Sequence, residues 1–197
     1  LLGNGRVGKT EIRKRLLGGG DADFDLDTVS THGVHIAPTD TSLIDGRLML
    51  WDFGGQDMYH GTHSLFMKSR ALFVLCWNPA FEQRLESEPD QWDLKHRNYP
   101  LTYWLDFVFD TAGKDAAIVL VQTQCDGGRG QELTDYVKGK LQRFTFMPRA
   151  VNYSAKDNTG RGGLDGAIAD AYDYLIKPYI GYGRLEAKQR LDALAAE

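Results

Sequence analysis

Short apolar runs recur along the chain at residues 33–38, 48–53, 71–77, 116–122 and 149–153. The last three are nearly continuous in apolar residues, as strands buried on both faces should be. Helical spacing separates them. Ile12 and Leu16 share a face, Leu133, Val137 and Leu141 repeat at every fourth residue, and Leu164, Ile168, Ala171 and Leu175 recur at steps of three and four. Strands that alternate with helices predict an α/β fold, an open and mostly parallel sheet with helices on both faces. Leu1 and Leu2 are all that precedes Gly3 where a first strand belongs. The polar segment 79–100 breaks the rhythm and reads as a surface-exposed insertion leading into a helix near 101–111.

Composition narrows the picture without changing it. A chain of 197 residues suits one domain. Its net charge of −4 gives no electrostatic reason to expect nucleic acid or an anionic membrane. Cys76 and Cys125 stand far apart, so neither a disulfide framework nor a paired-cysteine metal site is expected, and a reducing, cytoplasmic setting is the default. No stretch reaches the roughly 20 apolar residues of a membrane helix. Without an initiating methionine, the chain reads as a piece of a longer protein.

Candidate chemistry begins with GNGRVGKT, residues 3–10. Gly3, Gly5 and Gly8 match a dinucleotide-binding turn, and Gly3, Gly8, Lys9 and Thr10 match a P-loop. The P-loop fits better. Backbone N–H groups of Gly3, Asn4, Gly5, Arg6, Val7 and Gly8 can converge on phosphate oxygens, Lys9 can reach the β- and γ-phosphates, and Thr10 can offer a hydroxyl to magnesium. A dinucleotide turn needs neither of the last two, and its ribose-binding acid, Asp25 or Asp27, lacks a preceding strand.

Further elements fall at the ends of successive predicted strands. In WDFGGQ, residues 51–56, Asp52 can hold magnesium through water, Gly55 can give its N–H to a γ-phosphate and Gln56 can orient an attacking water. Thr31 can close over the nucleotide and ligate the metal, with Thr28 and Ser30 as neighbouring alternatives. In Thr123-Gln124-Cys125-Asp126 the carboxylate can accept from N1–H and the amine of guanine, and in Ser154-Ala155-Lys156 the backbone can approach guanine O6.

This series is similar to the small Ras-like GTPases, and WDFGGQDMYHGTHSLFMKSRALFVL most resembles the Roc domain of Roco proteins. The resemblance covers residues 1 to about 180. Residues 181–197, with Leu185, Leu191 and Leu194 on a predicted helix, look like the linker into the COR domain that follows Roc. The family implies GTP binding, slow hydrolysis to GDP, Mg2+, a COR domain in cis and homodimerisation largely through COR. It makes Gln56, Lys9 and Thr31 the catalytic candidates and Thr10, Thr31 and Asp52 the metal set. Guanine nucleotide would be held by residues 3–10, Gly55, Thr123, Gln124, Asp126, Ser154, Ala155 and Lys156. One departure stands out. Ras-like proteins carry Asn-Lys where this chain has Thr123-Gln124, and the missing lysine ordinarily braces the phosphate loop, so weaker guanine affinity is expected.

Arg70 and Arg84 are the candidates for an arginine finger from a partner protomer. His60 and His63 have metal-compatible spacing but no obvious set to complete it. Trp77, Trp92 and Trp104 fit core and insertion anchors better than a nucleic-acid stacking surface. Two other functional classes stand beside the hydrolysing switch: a nucleotide-binding scaffold with negligible hydrolysis, and an ATP-dependent P-loop enzyme.

Overall fold

The computed structural model describes residues 1–18, 31, 33–39, 48–54, 71–86, 89, 95–128 and 130–176. In chain order these form α1 (Lys9–Gly18), β1 (Val34–Thr39), β2 (Leu48–Phe53), β3 (Leu72–Trp77), α2 (Pro79–Glu82), α3 (Leu101–Ala112), β4 (Ala117–Gln122), a 3₁₀ turn (Asp126–Gly128), α4 (Asp135–Leu141), β5 (Arg149–Asn152) and α5 (Arg161–Ile176). The helix expected around Leu185, Leu191 and Leu194 lies outside the described residues, as do Asp25, Asp27, Thr28, Ser30, Gly55, Gln56, His60, His63, Arg70 and Trp92.

Strands β3, β4 and β5 form a parallel sheet, and β1 pairs antiparallel with β2. Leu1 and Leu2 run between the two. On one side Leu2 donates its N–H to Val74 and its carbonyl accepts from Cys76, at 2.9 and 2.8 Å. On the other, the Leu1 nitrogen donates to the Trp51 carbonyl at 2.6 Å. Five strands and this short central segment therefore share one hydrogen-bonded order.

Alternation along β3 and β4 sends side chains to two apolar layers. Phe73, Leu75, Trp77, Ile118 and Leu120 pack beneath α3 and α4. Val74, Cys76, Ala117, Val119 and Val121 pack beneath α1 and α5. That double cover is why these strands read as unbroken apolar runs.

Two expectations need correction. Strand β5 is not buried on both faces, because only Val151 is enclosed while Arg149, Ala150 and Asn152 are exposed. Among the described residues it pairs with β4 alone, and Arg149 meets Asp170 at 2.9 Å on the open side. The insertion is not wholly at the surface either. Asn98 is buried, and Tyr99 stacks on Tyr103 with ring centroids 4.1 Å apart. The Glu82 carboxylate accepts from the Trp77 indole at 2.8 Å and from the Leu101 N–H, the first of α3, so the insertion caps the helix it leads into.

Leu101, Trp104, Leu105 and Val108 form the buried stripe of α3. Leu105 has no exposed surface. Leu105→Ala is expected to lower unfolding free energy by about 2–5 kcal/mol, the range for truncating a buried leucine, as measured by urea denaturation.

Candidate functional site

The turn from Leu2 to α1 is set by backbone geometry. Gly3 has φ of 135°, and a Cβ there would overlap the Cys76 carbonyl; Gly8 has φ of 98°. Only glycine meets both demands at residue 3. Val7, by contrast, sends its side chain into the apolar layer under α1, leaving only its backbone available to a ligand.

Lys9 opens α1 and is buried. Its Nζ donates to the carbonyls of Gly3 at 2.9 Å and Asn4 at 2.7 Å, so the ammonium sits inside the loop. Burial pushes its pKa below the usual lysine value, opposed by the negative charge of Asp52. A buried cation whose charge is disfavoured by desolvation is a site that gains by meeting an anion.

Thr10, Thr31 and Asp52 come together beside it. The Thr10 and Thr31 hydroxyls lie 2.9 Å apart, and they donate to Asp52 Oδ2 at 3.1 and 3.2 Å. Asp52 has no exposed surface, and its second oxygen, Oδ1, has no hydrogen-bond partner among the described residues. Arg13 Nε stands 3.3 Å from Oδ2. Two hydroxyls and a carboxylate with a spare buried oxygen are an all-oxygen, hard donor set, which suits Mg2+ and not a soft metal. Among the described residues no cluster of His, Cys, Asp or Glu offers a competing site.

At the other end of the sheet the expected base loop assembles from the ends of β4 and β5. Asp126 Oδ1 accepts from the Ser154 hydroxyl at 2.8 Å, and Lys156 Nζ is 4.0 Å from Oδ2. Thr123 bonds the Trp77 carbonyl through its hydroxyl at 3.2 Å, and Asn78 donates to the Thr123 carbonyl at 2.8 Å. Gln124 adopts φ of 57° and donates from Nε2 to the Arg6 carbonyl at 3.3 Å. A neutral amide therefore braces the phosphate loop at the position where the sequence comparison left a lysine wanting. Beyond the loop, the Thr159 N–H and the Ser154 hydroxyl hold the Asp157 carboxyl down to about 2. Cys125 is buried within the loop, its thiol raised above the usual value by desolvation.

Arg84 is exposed, with its carbonyl accepting from Asn98 at 3.0 Å. Sequence reasoning missed the side chain of Asn4, valued there only for its backbone. Asn4 is buried, donates to the Tyr99 carbonyl at 2.8 Å, and accepts from the Tyr99 N–H at 2.9 Å and the Trp104 indole at 3.1 Å. Tyr99 just before α3 and Trp104 in its first turn were the available signal.

Comparison with known proteins adds to this geometry. A family model described as "Ras of Complex, Roc, domain of DAPkinase" matches residues 1–126. The chain is 27% identical over 211 residues to the probable serine/threonine-protein kinase roco11 of Dictyostelium discoideum, covering 97% of this chain and 13% of that protein. It is 32% identical over 118 residues to a Roc-COR-CHAT protease from an unknown prokaryotic organism, covering 55% of this chain and 10% of that one. Among solved structures, the Methanosarcina barkeri Roco2 RocCORdC bound to GDP matches with 25% identity and a TM-score of 0.63, over 90% of this chain and 48% of that one. The chain thus spans a small part of its curated relatives.

Removing the Asn4 side chain would strand the Tyr99 amide and the Trp104 indole. Asn4→Ala is expected to cost about 1–3 kcal/mol, as for a buried polar group left without its partner, and Asn4→Asp at least as much, because a buried carboxylate oxygen would face the Tyr99 carbonyl in place of the amide donor; urea denaturation of the three proteins checks the order.

Proposed function

The chain belongs to the Roc family, and from that premise we propose that it is a guanine-nucleotide switch that hydrolyses GTP to GDP with Mg2+ and relays its state to a COR domain in cis. The observation that carries the proposal is the meeting of Thr10, Thr31 and Asp52 beside the buried Lys9. Family membership favours guanine, and so does Asp126 beside Ser154 at the ends of adjacent strands.

In this reading each residue has a physical task. Backbone N–H groups of residues 3–8 and the N-terminus of α1 bind phosphate oxygens. Lys9 exchanges its loop carbonyls for the β- and γ-phosphates, where a desolvated ammonium gains most. Thr10, Thr31 and Asp52 would hold Mg2+, which supplies neutralisation of charge on the phosphate oxygens. Thr31 alone of the three comes from a connecting segment and not from α1 or a strand end. Its engagement is therefore the step most readily made or broken with the state of the phosphates. Gln56 orients the attacking water, and Gly55 gives its N–H to the γ-phosphate. Asp126 accepts from N1–H and the 2-amine of guanine, while the 154–156 segment meets the 6-keto oxygen. In the same reading the protein works in the cytoplasm as a homodimer joined through COR.

Single-turnover hydrolysis of radiolabelled GTP, on this chain and on the full-length protein, tests the activity. Product formation in the full-length protein supports the switch. Tight binding without product in either would make the protein a nucleotide-dependent scaffold, and equal affinity for ATP and GTP would make it an adenine-tolerant P-loop enzyme. Substituting Gln56→Leu in the full-length protein should retain affinity and lose turnover.

Thr10→Asn should weaken Mg2+-dependent GTP binding more than GDP binding, because the triphosphate relies more on the metal; equal loss in paired titrations would remove Thr10 from the metal set. Asp126→Asn should lose GTP affinity by about ten- to hundredfold, the worth of a charge-assisted hydrogen bond, and gain affinity for xanthosine triphosphate. Parallel changes in the two nucleotides would show that Asp126 shapes the loop without reading the base.

A further inference from the structure

Helix α1 starts at the phosphate loop and reaches the base loop with Arg15. This residue is 8% exposed. Its Nε donates to the Ala155 carbonyl at 2.8 Å, and a terminal nitrogen donates to the Lys156 carbonyl at 3.2 Å. The Arg15 carbonyl accepts in turn from Arg161 at 2.9 Å, and the Arg161 Nε is paired with Asp165 at 2.7 Å. Three segments distant in sequence are therefore fastened at one point: α1, the loop after β5 and the first turn of α5.

Peptide geometry gives this fastening a chemical direction. A trans peptide holds its C=O and N–H on opposite edges of one plane. With the Ala155 carbonyl turned to Arg15, the Lys156 N–H points the other way. The Asp157 N–H, governed by the Lys156 carbonyl, is directed at the Ser154 hydroxyl at 3.5 Å. A guanidinium on a peptide carbonyl also polarises that unit and strengthens its N–H as a donor. A fixed, polarised N–H attracts a keto oxygen and repels an amino group, the difference between guanine and adenine at the six-position.

We propose that Arg15 is a positioning residue for base selection, holding the Lys156 N–H, the donor of the 155–156 peptide unit, where it recognises a purine 6-keto group. The inference rests on the guanine-nucleotide function proposed above. It assigns to the helix of the phosphate loop a second task, discrimination among bases, that none of its own atoms performs by contact with the base.

The test is a calorimetric comparison of GDP, ADP and 2-aminopurine riboside 5′-diphosphate at constant Mg2+, on the parent, Arg15→Met and Arg15→Gln proteins. The analogue lacks the 6-keto oxygen and N1–H; the second loss is common to all three proteins and cancels in the comparison. The parent should prefer GDP over the analogue by about tenfold or more, as charge-assisted recognition provides. Arg15→Met should cut that preference by about tenfold through weaker GDP binding, leaving the analogue within about twofold of its parent affinity. Arg15→Gln, with a neutral donor in place of the cation, should fall between. An unchanged preference, or equal weakening of GDP and analogue, overturns the role and leaves Arg15 a structural brace. Thermal unfolding monitors the fold, and if Arg15→Met does not fold, the same ratio in Arg15→Gln decides. A parent that binds GDP no better than ADP overturns the guanine function itself, an outcome distinct from a GDP preference that survives substitution.

Discussion

A carboxylate with no exposed surface is the constraint around which this molecule is arranged. Asp52 ends β2 inside the protein, where an ion is costly unless donors surround it. The hydroxyls of Thr10 on α1 and Thr31 in a connection donate to it, and the guanidinium of Arg13 stands beside it as a counter-charge. Placing them requires α1 to start where it does. That in turn requires the turn at Gly3, seated against the Cys76 carbonyl, and the hydrogen bonds that Leu1 and Leu2 make on either side.

Much of this was legible because each demand is local. Two-sided burial makes β3 and β4 unmistakable apolar runs, and the P-loop spacing needs no tertiary knowledge. Thr31 stands at Thr10 and Asp52, while its neighbouring alternatives Thr28 and Ser30 lie outside the described residues. The illegible parts depend on partners far away in sequence. Asn4 gives no sign of bonding Tyr99 and Trp104, and nothing in the run of α1 says that Arg15 reaches a loop well over a hundred residues on. Strand β5 misled for a different reason: a short apolar run looks the same at the edge of a sheet as at its centre until its pairing is known.

The departure at Thr123-Gln124 also looks different in three dimensions. A lysine at residue 124 would bring charge to the phosphate loop, whereas Gln124 brings only an amide to the Arg6 carbonyl. A cationic fastening lies instead between α1 and the loop after β5, through Arg15, with Arg161 on the Arg15 carbonyl. Residues 3–18 are thus tied to the segments after β4 and β5 by one neutral and one charged link.

Burial of both cysteines carries a consequence of its own. Cys76 lies within β3, its thiol pushed by desolvation up to about 12, and Cys125 is buried within the segment that follows β4. Alkylating reagents attack only the thiolate, so neither sulfur reacts at neutral pH while its surroundings stay closed. With just two thiols in the chain, modification becomes a clock for opening. Cys76 reports opening around β3 and Cys125 opening of the segment after β4, two native reporters at two places in the fold.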